Sequence, residues 1–229
     1  MNRTADVVIV GAGVIGSATA FELAKRGYKT LNIDKLPASG YGSTSNSCAI
    51  VRAHYSTWDG VAMAYEGFFY WDDWNKYLEV EDERGMAKYM KTGSIMFMLK
   101  GADHSKKSLN LFKEIGVEHE IWDLETLKKK MPIYSHDSYN GTSRPDEDDS
   151  FFDKSGDQIE GAVWTPGSGY VSDPQLATHN LQVATEAKGG EFLFDAEITE
   201  IHQSNGQIQG VTLKSGEQID SKVLVNVAG

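Results

Sequence analysis

The chain has 229 residues, enough for one large domain or one and a half ordinary ones, and its 40% hydrophobic and 24% charged content is ordinary for a globular protein. A formal net charge of -11 argues against nucleic acid or an anionic membrane as a main partner, since both need basic surface. One cysteine, Cys48, rules out an internal disulfide. No apolar run reaches membrane-span length, and only Met1 to Asp6 precede the first strand pattern, so the expectation is a cytoplasmic protein without a leader.

Val7-Val8-Ile9-Val10 is a short apolar, β-branched run, as in a strand buried on both faces of a parallel sheet. Gly11, Gly13 and Gly16 come next at G-x-G-x-x-G spacing. Val14, Ala18 and Phe21 then mark one apolar face of a helix, which Lys25, Arg26 and Gly27 close. A second strand, Thr30 to Ile33, ends at Asp34. Each glycine has a physical task. Gly11 permits the tight turn, Gly13 lets the backbone approach a pyrophosphate, and Gly16 lets the helix pack closely on the strand. The helix start, with the N–H groups of Val14 and Ile15, offers a positive end to phosphates, and Asp34 offers acceptors to ribose hydroxyls. The unit reads as a dinucleotide-binding βαβ.

Whether the nucleotide carries nicotinamide or a flavin turns on the chain after Asp34. From Lys35 to Asn46 it runs through Pro37, Gly40, Gly42 and several serines, a loop composition, and the next long helix starts near Asp59. A nicotinamide domain should return at once to a helix and strand. A Gly/Ser loop here suits a bound molecule that runs on past the pyrophosphate to a flavin ring. Gly60 to Leu78 is a helix crowded with Tyr65, Phe68, Phe69, Tyr70, Trp71, Trp74 and Tyr77, rings expected to pack in a core rather than to form a flavin cage.

Gly93 to Leu99 predicts a strand, Ser105 to Ile115 a helix closed by Gly116, and "VEHEIWD" another strand, after which Asp123 caps a short lysine-rich helix that stops at Pro132. Between Tyr134 and Gly161 periodicity is lost. The acidic "PDEDDS" there fits no EF-hand spacing and is expected to be a solvated loop. Gly161 to Pro166 is a strand. Ser172 or Asp173 caps a helix that begins at Pro174 and ends before Gly189-Gly190. The turn signals Asn205-Gly206 and Ser215-Gly216 make Ala196 to Ile219 a β-meander, and Lys222 to Val227 a last strand aimed at the first sheet. The histidines lack metal-ligand spacing, no G-x-S-x-G elbow is present, and no metal site is expected.

Three segments carry a resemblance to the FAD-dependent amino-acid and amine oxidoreductases, the family of D-amino-acid oxidase, glycine oxidase, sarcosine oxidase and dimethylglycine dehydrogenase. They are the fingerprint Gly11 to Asp34, the loop "GSTSNSCAIVRAHYS" from Gly42 to Ser56, and the stretch from Gly167 to the closing "NVAG". The resemblance implies an α/β fold: a Rossmann-like FAD-binding domain, with parallel sheet and β-meander, plus part of an α+β substrate domain. It divides the chain into a first part of the FAD-binding domain (1–83), a partial substrate domain (84–166) and a second part of the FAD-binding domain (167–229). It implies FAD as cofactor, held also by Lys35, by Gly42, Ser43, Thr44, Ser45, Asn46, Ser47 and Cys48 of the loop, by Ile198, and by Ala228 and Gly229.

The implied reaction is oxidation of the C–N bond of an amino acid or N-methylated amino acid. Arg52 matches the arginine that binds the substrate carboxylate in monomeric sarcosine oxidase, although a surface or phosphate-contact arginine reads equally well. His54 and Tyr55 either line the site or pack. Asn46 stands where dimethylglycine dehydrogenases tether the flavin through a histidine, so attachment through this loop should be non-covalent. Ala49 replaces a basic residue of sarcosine oxidases, which leaves oxidase and dehydrogenase both open. Cys48 is expected as a small packed thiol. Family members continue well beyond the closing motif, so a complementary C-terminal chain is an expected partner. The rival readings are a non-catalytic nucleotide-binding subunit and an NAD-dependent dehydrogenase.

Overall fold

In the computed structural model, which describes residues 3–101, 103–139 and 144–229, the β-branched run Val7–Val10 is a strand with Val8 and Ile9 fully buried. The chain divides into two units. The first comprises residues up to Ala49, Trp71–Tyr89 and Val171–Gly229; the second comprises Ile50–Tyr70 and Met90–Tyr170. The linear division at residues 83 and 166 keeps 50–70 with the nucleotide-binding part, whereas their contacts place them in the second unit.

The first unit is built on a parallel sheet. Its strand order is Glu191–Leu193, Thr30–Ile33, Val7–Val10 and Val223–Asn226, with Val7 opposite both Thr30 and Val223. The Val14–Lys25 helix buries Gly16, Ser17, Ala20, Phe21 and Ala24. This differs from the predicted face: Phe21 belongs to it, but Val14 and Ala18 are only half-buried. Apart from Phe21 the buried face is made of small residues, Gly16, Ser17, Ala20 and Ala24, which lets the helix lie close to its neighbours. Gly27, at φ +85°, ends it as expected. The Pro174–Ala187 helix packs beside it, capped by Asp173, whose carboxylate accepts the Leu176 N–H at 2.9 Å.

The meander Ile198–Ser204, Gln207–Leu213 and Gln218–Asp220 covers the other face. Val211, Leu213 and Ile219 pack there on Val8, Leu31 and Ile33. Each such fully buried side chain contributes about 1.5–3 kcal/mol relative to exposure. Asn205 and Gly206 both have positive φ, as a tight two-residue hairpin turn demands.

The second unit holds an antiparallel sheet in the order Ser94–Met98, Gly161–Thr165, Glu120–Asp123. Val163 joins Ala53, Val61, Phe68, Phe112 and Val117 in one core cluster, while Trp122, Leu127, Ile159 and Ala162 form another. Asp123 caps the Leu124–Lys130 helix through the Thr126 N–H at 2.8 Å.

Two expectations are corrected here. The aromatic run is two helices, Trp58–Asp72 and Trp74–Leu78, and it is not wholly core. Phe68 and Trp74 are buried, but Phe69 and Tyr70 are 59% and 43% exposed. Rings at consecutive positions point all around a helix, so one core cannot take them all. The aperiodic stretch contains the strands Asp137–Tyr139 and Lys154–Gln158, paired antiparallel. Its second strand, Lys-Ser-Gly-Asp-Gln, is exposed throughout and so carries no hydrophobic alternation to read. "PDEDDS" lies in exposed and half-buried turns, and residues 140–143 of the stretch lie outside the described residues. No group of acidic, histidine or cysteine side chains is arranged to hold a metal among the described residues, and no helix is long and apolar enough to cross a membrane.

Candidate cofactor site

Backbone contacts demand glycine at two points of the turn. Gly11 adopts φ +110°, and a Cβ there would lie 2.5 Å from the Val227 carbonyl oxygen. A Cβ on Gly16 would lie 2.1 Å from the Gly11 oxygen. Both glycines are therefore required by close approach inside the protein. Gly13 differs: it has an ordinary φ of -72°, and its missing Cβ faces only the Thr44 hydroxyl at 3.2 Å. The Ser17 N–H donates to the Gly13 carbonyl as the first intrahelical bond, so the amides ahead of it have no partner within the helix. One of them, the Val14 N–H, donates to the Thr44 hydroxyl at 3.1 Å. Gly13 offers no side-chain cap, and a residue 30 positions away supplies one.

Beside this turn lies a cleft of about 310 Å³ lined by Val10, Gly11, Ile33, Asp34, Lys35, Ala196, Glu197, Ile198, Ala228 and Gly229. Six predicted residues meet in it: Gly11, Asp34, Lys35, Ile198, Ala228 and Gly229. The Asp34 carboxylate accepts the Ala12 N–H at 2.7 Å and the Leu36 N–H at 2.9 Å, one on each oxygen. Each oxygen keeps a further acceptor position for a ribose hydroxyl. Val10, Ile33, Ala196 and Glu197 were not singled out as site residues from sequence. Nothing in a meander strand marks the residues just before its start, and only the fold brings Ala196 and Glu197 to Asp34.

The loop from Gly42 to Cys48 is largely exposed. Asn46 turns back on it, donating to the Gly42 carbonyl at 3.0 Å, and the Ser45 hydroxyl donates to the same oxygen at 3.1 Å. The Ser47 hydroxyl accepts the Ala49 N–H at 3.0 Å, and Ala49 holds a left-handed φ of 50°. Cys48 is exposed, which corrects the packed thiol expected from its size. The loop gives it no core to enter. Ile15, also predicted, is 64% exposed at the helix start.

The predicted catalytic trio belongs to the second unit. Arg52 is exposed, with its guanidinium 5.8 Å from the centre of the Tyr55 ring, and Tyr55 is 45% exposed. His54 packs inside. It is 7% exposed, its ring stacks on Phe112, and its Nε2 lies 3.1 Å from the Thr165 hydroxyl. Thr165 also meets the hydroxyls of Ser94 and Ser168, both at 2.9 Å. Burial pushes the His54 imidazole down to about 4, and the positive charges of Arg52 and His104 add to this, so it is neutral at pH 7.

A parallel sheet with a glycine turn, an acid at the end of its second strand and a cleft between them defines a dinucleotide-binding α/β protein. Residues 6–229 match the family described as DAO, FAD dependent oxidoreductase, and the chain belongs to that family. It is 29% identical to a monomeric sarcosine oxidase of Bacillus sp. (strain B-0618) over 99% of this chain and 52% of the relative. It is 24% identical to a D-amino acid dehydrogenase of Rhodopseudomonas palustris (strain HaA2) over 96% of this chain and 59% of the relative. Among solved structures, the L-proline dehydrogenase of P. horikoshii superposes with a TM-score of 0.79 at 22% identity, covering 100% of this chain and 54% of that one. The chain thus spans about half the length of these relatives. The family's cofactor is FAD, and the residues present fit it: the cleft holds an acid with acceptor capacity to spare, and the turn at its edge leads into a helix start whose amides, apart from the Val14 N–H that Thr44 accepts, have no intrahelical partner.

Proposed function

We propose that the protein serves the FAD-dependent oxidation of the C–N bond of an amino acid or N-methylated amino acid, with Arg52 binding the substrate carboxylate. The observation that carries the substrate assignment is the state of Arg52. Its planar fork is exposed over an aromatic ring, and no carboxylate pairs with it among the described residues. That geometry suits a carboxylate arriving from solution. The names of the relatives, sarcosine oxidase and the dehydrogenases of D-amino acids and L-proline, support the same class. When bound, the flavin supplies the hydride-accepting chemistry.

The residues of this chain bind and orient. The helix-start amides that Thr44 does not take would hold the pyrophosphate and Asp34 the ribose, while Ile198, Ala228 and Gly229 wall the cleft. The Tyr55 ring lies 5.8 Å from the guanidinium, within cation–π range. His54, with Nε2 engaged by Thr165, holds the segment in place rather than moving a proton.

Arg52→Ala is expected to raise the KM for the carboxylate substrate by a factor worth about 1.5–3 kcal/mol, the scale of a hydrogen bond to a charged group. The corresponding amine without a carboxylate should change little. Equal losses for both substrates would assign Arg52 to the flavin or the fold. The flavin itself should leave with acid precipitation and appear in the supernatant, because Asn46 cannot tether it. Colour retained in the pellet would contradict non-covalent binding through this loop.

A further inference from the structure

Asn32 is out of place in its strand. All four residues of Thr30–Ile33 are buried, and Asn32 is fully so. Its side-chain Nδ2 donates to the Gly11 carbonyl at 3.2 Å, while its Oδ1 is buried with no hydrogen-bond partner. A buried amide with an orphaned oxygen opposes folding, and an aliphatic residue would suit this position better. Stability alone does not account for an asparagine here.

The explanation lies two residues further on. Residues i and i+2 of a strand share a face. Asp34 accepts the Ala12 N–H at 2.7 Å, and Asn32 donates to the Gly11 carbonyl. That carbonyl and that N–H are the two ends of one peptide unit. We infer that Asn32 is a positioning residue for the cofactor: with Asp34 it clamps the Gly11–Ala12 peptide from both ends and so sets the direction of the glycine turn. The clamp is needed because Gly11, without a Cβ and at φ +110°, gives that peptide freedom to rotate. Rotation would turn a carbonyl toward the Asp34 carboxylate and carry Gly13 and the helix amides behind it out of line. Asp34 holds the N–H end alone if Asn32 is lost.

The inference takes FAD in this cleft as given, and the test separates the two. Asn32→Leu fills the volume without a donor. In the purified chain three quantities are compared with wild type: the Tm without cofactor, the FAD Kd from flavin fluorescence quenching, and amide hydrogen exchange at residues 11–16. The expected result is an equal or higher Tm, faster exchange at 11–16, and about tenfold weaker FAD binding, the scale of one lost hydrogen bond in a preorganised site. Wild-type exchange and wild-type Kd in a folded Asn32→Leu protein would overturn the clamp. If the leucine variant does not fold, Asn32→Ser, which removes the reach to Gly11 without adding bulk, is read by the same criteria. If the wild-type chain binds no FAD, the cofactor assignment fails for this chain. Exchange at 11–16 then decides the clamp alone: faster in the variant supports it, unchanged overturns it.

Discussion

Gly16→Ala should largely abolish folding of the first unit. The added Cβ would sit 2.1 Å from the Gly11 carbonyl oxygen and 3.0 Å from its carbon, and the Asn32 and Asp34 bonds at the two ends of that peptide hold both atoms in place. Gly11 is itself pressed against Val227, on the backbone just past the Val223–Asn226 strand. Forcing a methyl group into backbone on both sides costs about 3–5 kcal/mol, a large part of a domain's usual stability. The expected readout is a Tm lower by 10 °C or more, to order of magnitude, or insoluble protein. Gly13→Val should behave in the opposite way. Its backbone angle is ordinary and its Cβ meets only the tip of Thr44, so the fold should survive with a Tm within about 3 °C of wild type. FAD binding should nevertheless be lost by two orders of magnitude or more, roughly, because the side chain would occupy the approach to the helix amides. Equal Tm losses in the two variants would show that Gly13 serves packing as Gly16 does.

The difference between these glycines marks how far the sequence could be read. The G-x-G-x-x-G spacing, the apolar run before it and the acid after the second strand locate the turn, because each is a local requirement of backbone geometry. The meander was legible for the same reason: Asn205-Gly206 needs positive φ at both positions. What was not legible depends on which distant residues the fold brings together. Thr44 capping Val14, and Glu197 reaching the cleft, have no signature in a single sequence. Asn32 did leave one, a lone amide in an apolar strand, and polarity at a buried position was the available signal. Another network was missed entirely. Asp82, nearly buried, accepts from Asn180 Nδ2 at 2.7 Å and lies 2.6 Å from His179 Nδ1, while Asn180 Oδ1 accepts the Ala87 N–H. These partners are 97 residues or so apart in sequence, so no window reveals them. His54 shows the limit from the other side. It sits next to the predicted substrate arginine, and only burial distinguishes a residue that lines a site from one that supports it.

That burial sets the pH response. Unfolded, His54 takes up its proton near its ordinary value of 6.5; folded, burial and the nearby charges of Arg52 and His104 hold it at about 4. As pH falls through this window the unfolded chain binds the proton first, so stability is lost between about pH 6.5 and 4 and not further below, where both states are protonated. A shift of this size corresponds to roughly 2–3 kcal/mol at the lower end of the window, allowing for partial solvent access. Protonation would also set a charge against the Thr165 hydroxyl, which Ser94 and Ser168 share, and so loosen the segment that carries Arg52. Carboxylates held low by their partners, Asp82 and Asp123 among them, add their own loss as acid reaches their range. The comparison that isolates the histidine is therefore wild type against His54→Gln, which keeps an amide able to reach Thr165 but cannot titrate. Denaturant unfolding at half-unit steps from pH 7.5 to 3.5 should show the wild-type curve falling relative to the variant between about 6.5 and 4, then running parallel to it. A constant difference across the whole range would mean that His54 titrates alike in both states, and that burial does not keep it neutral.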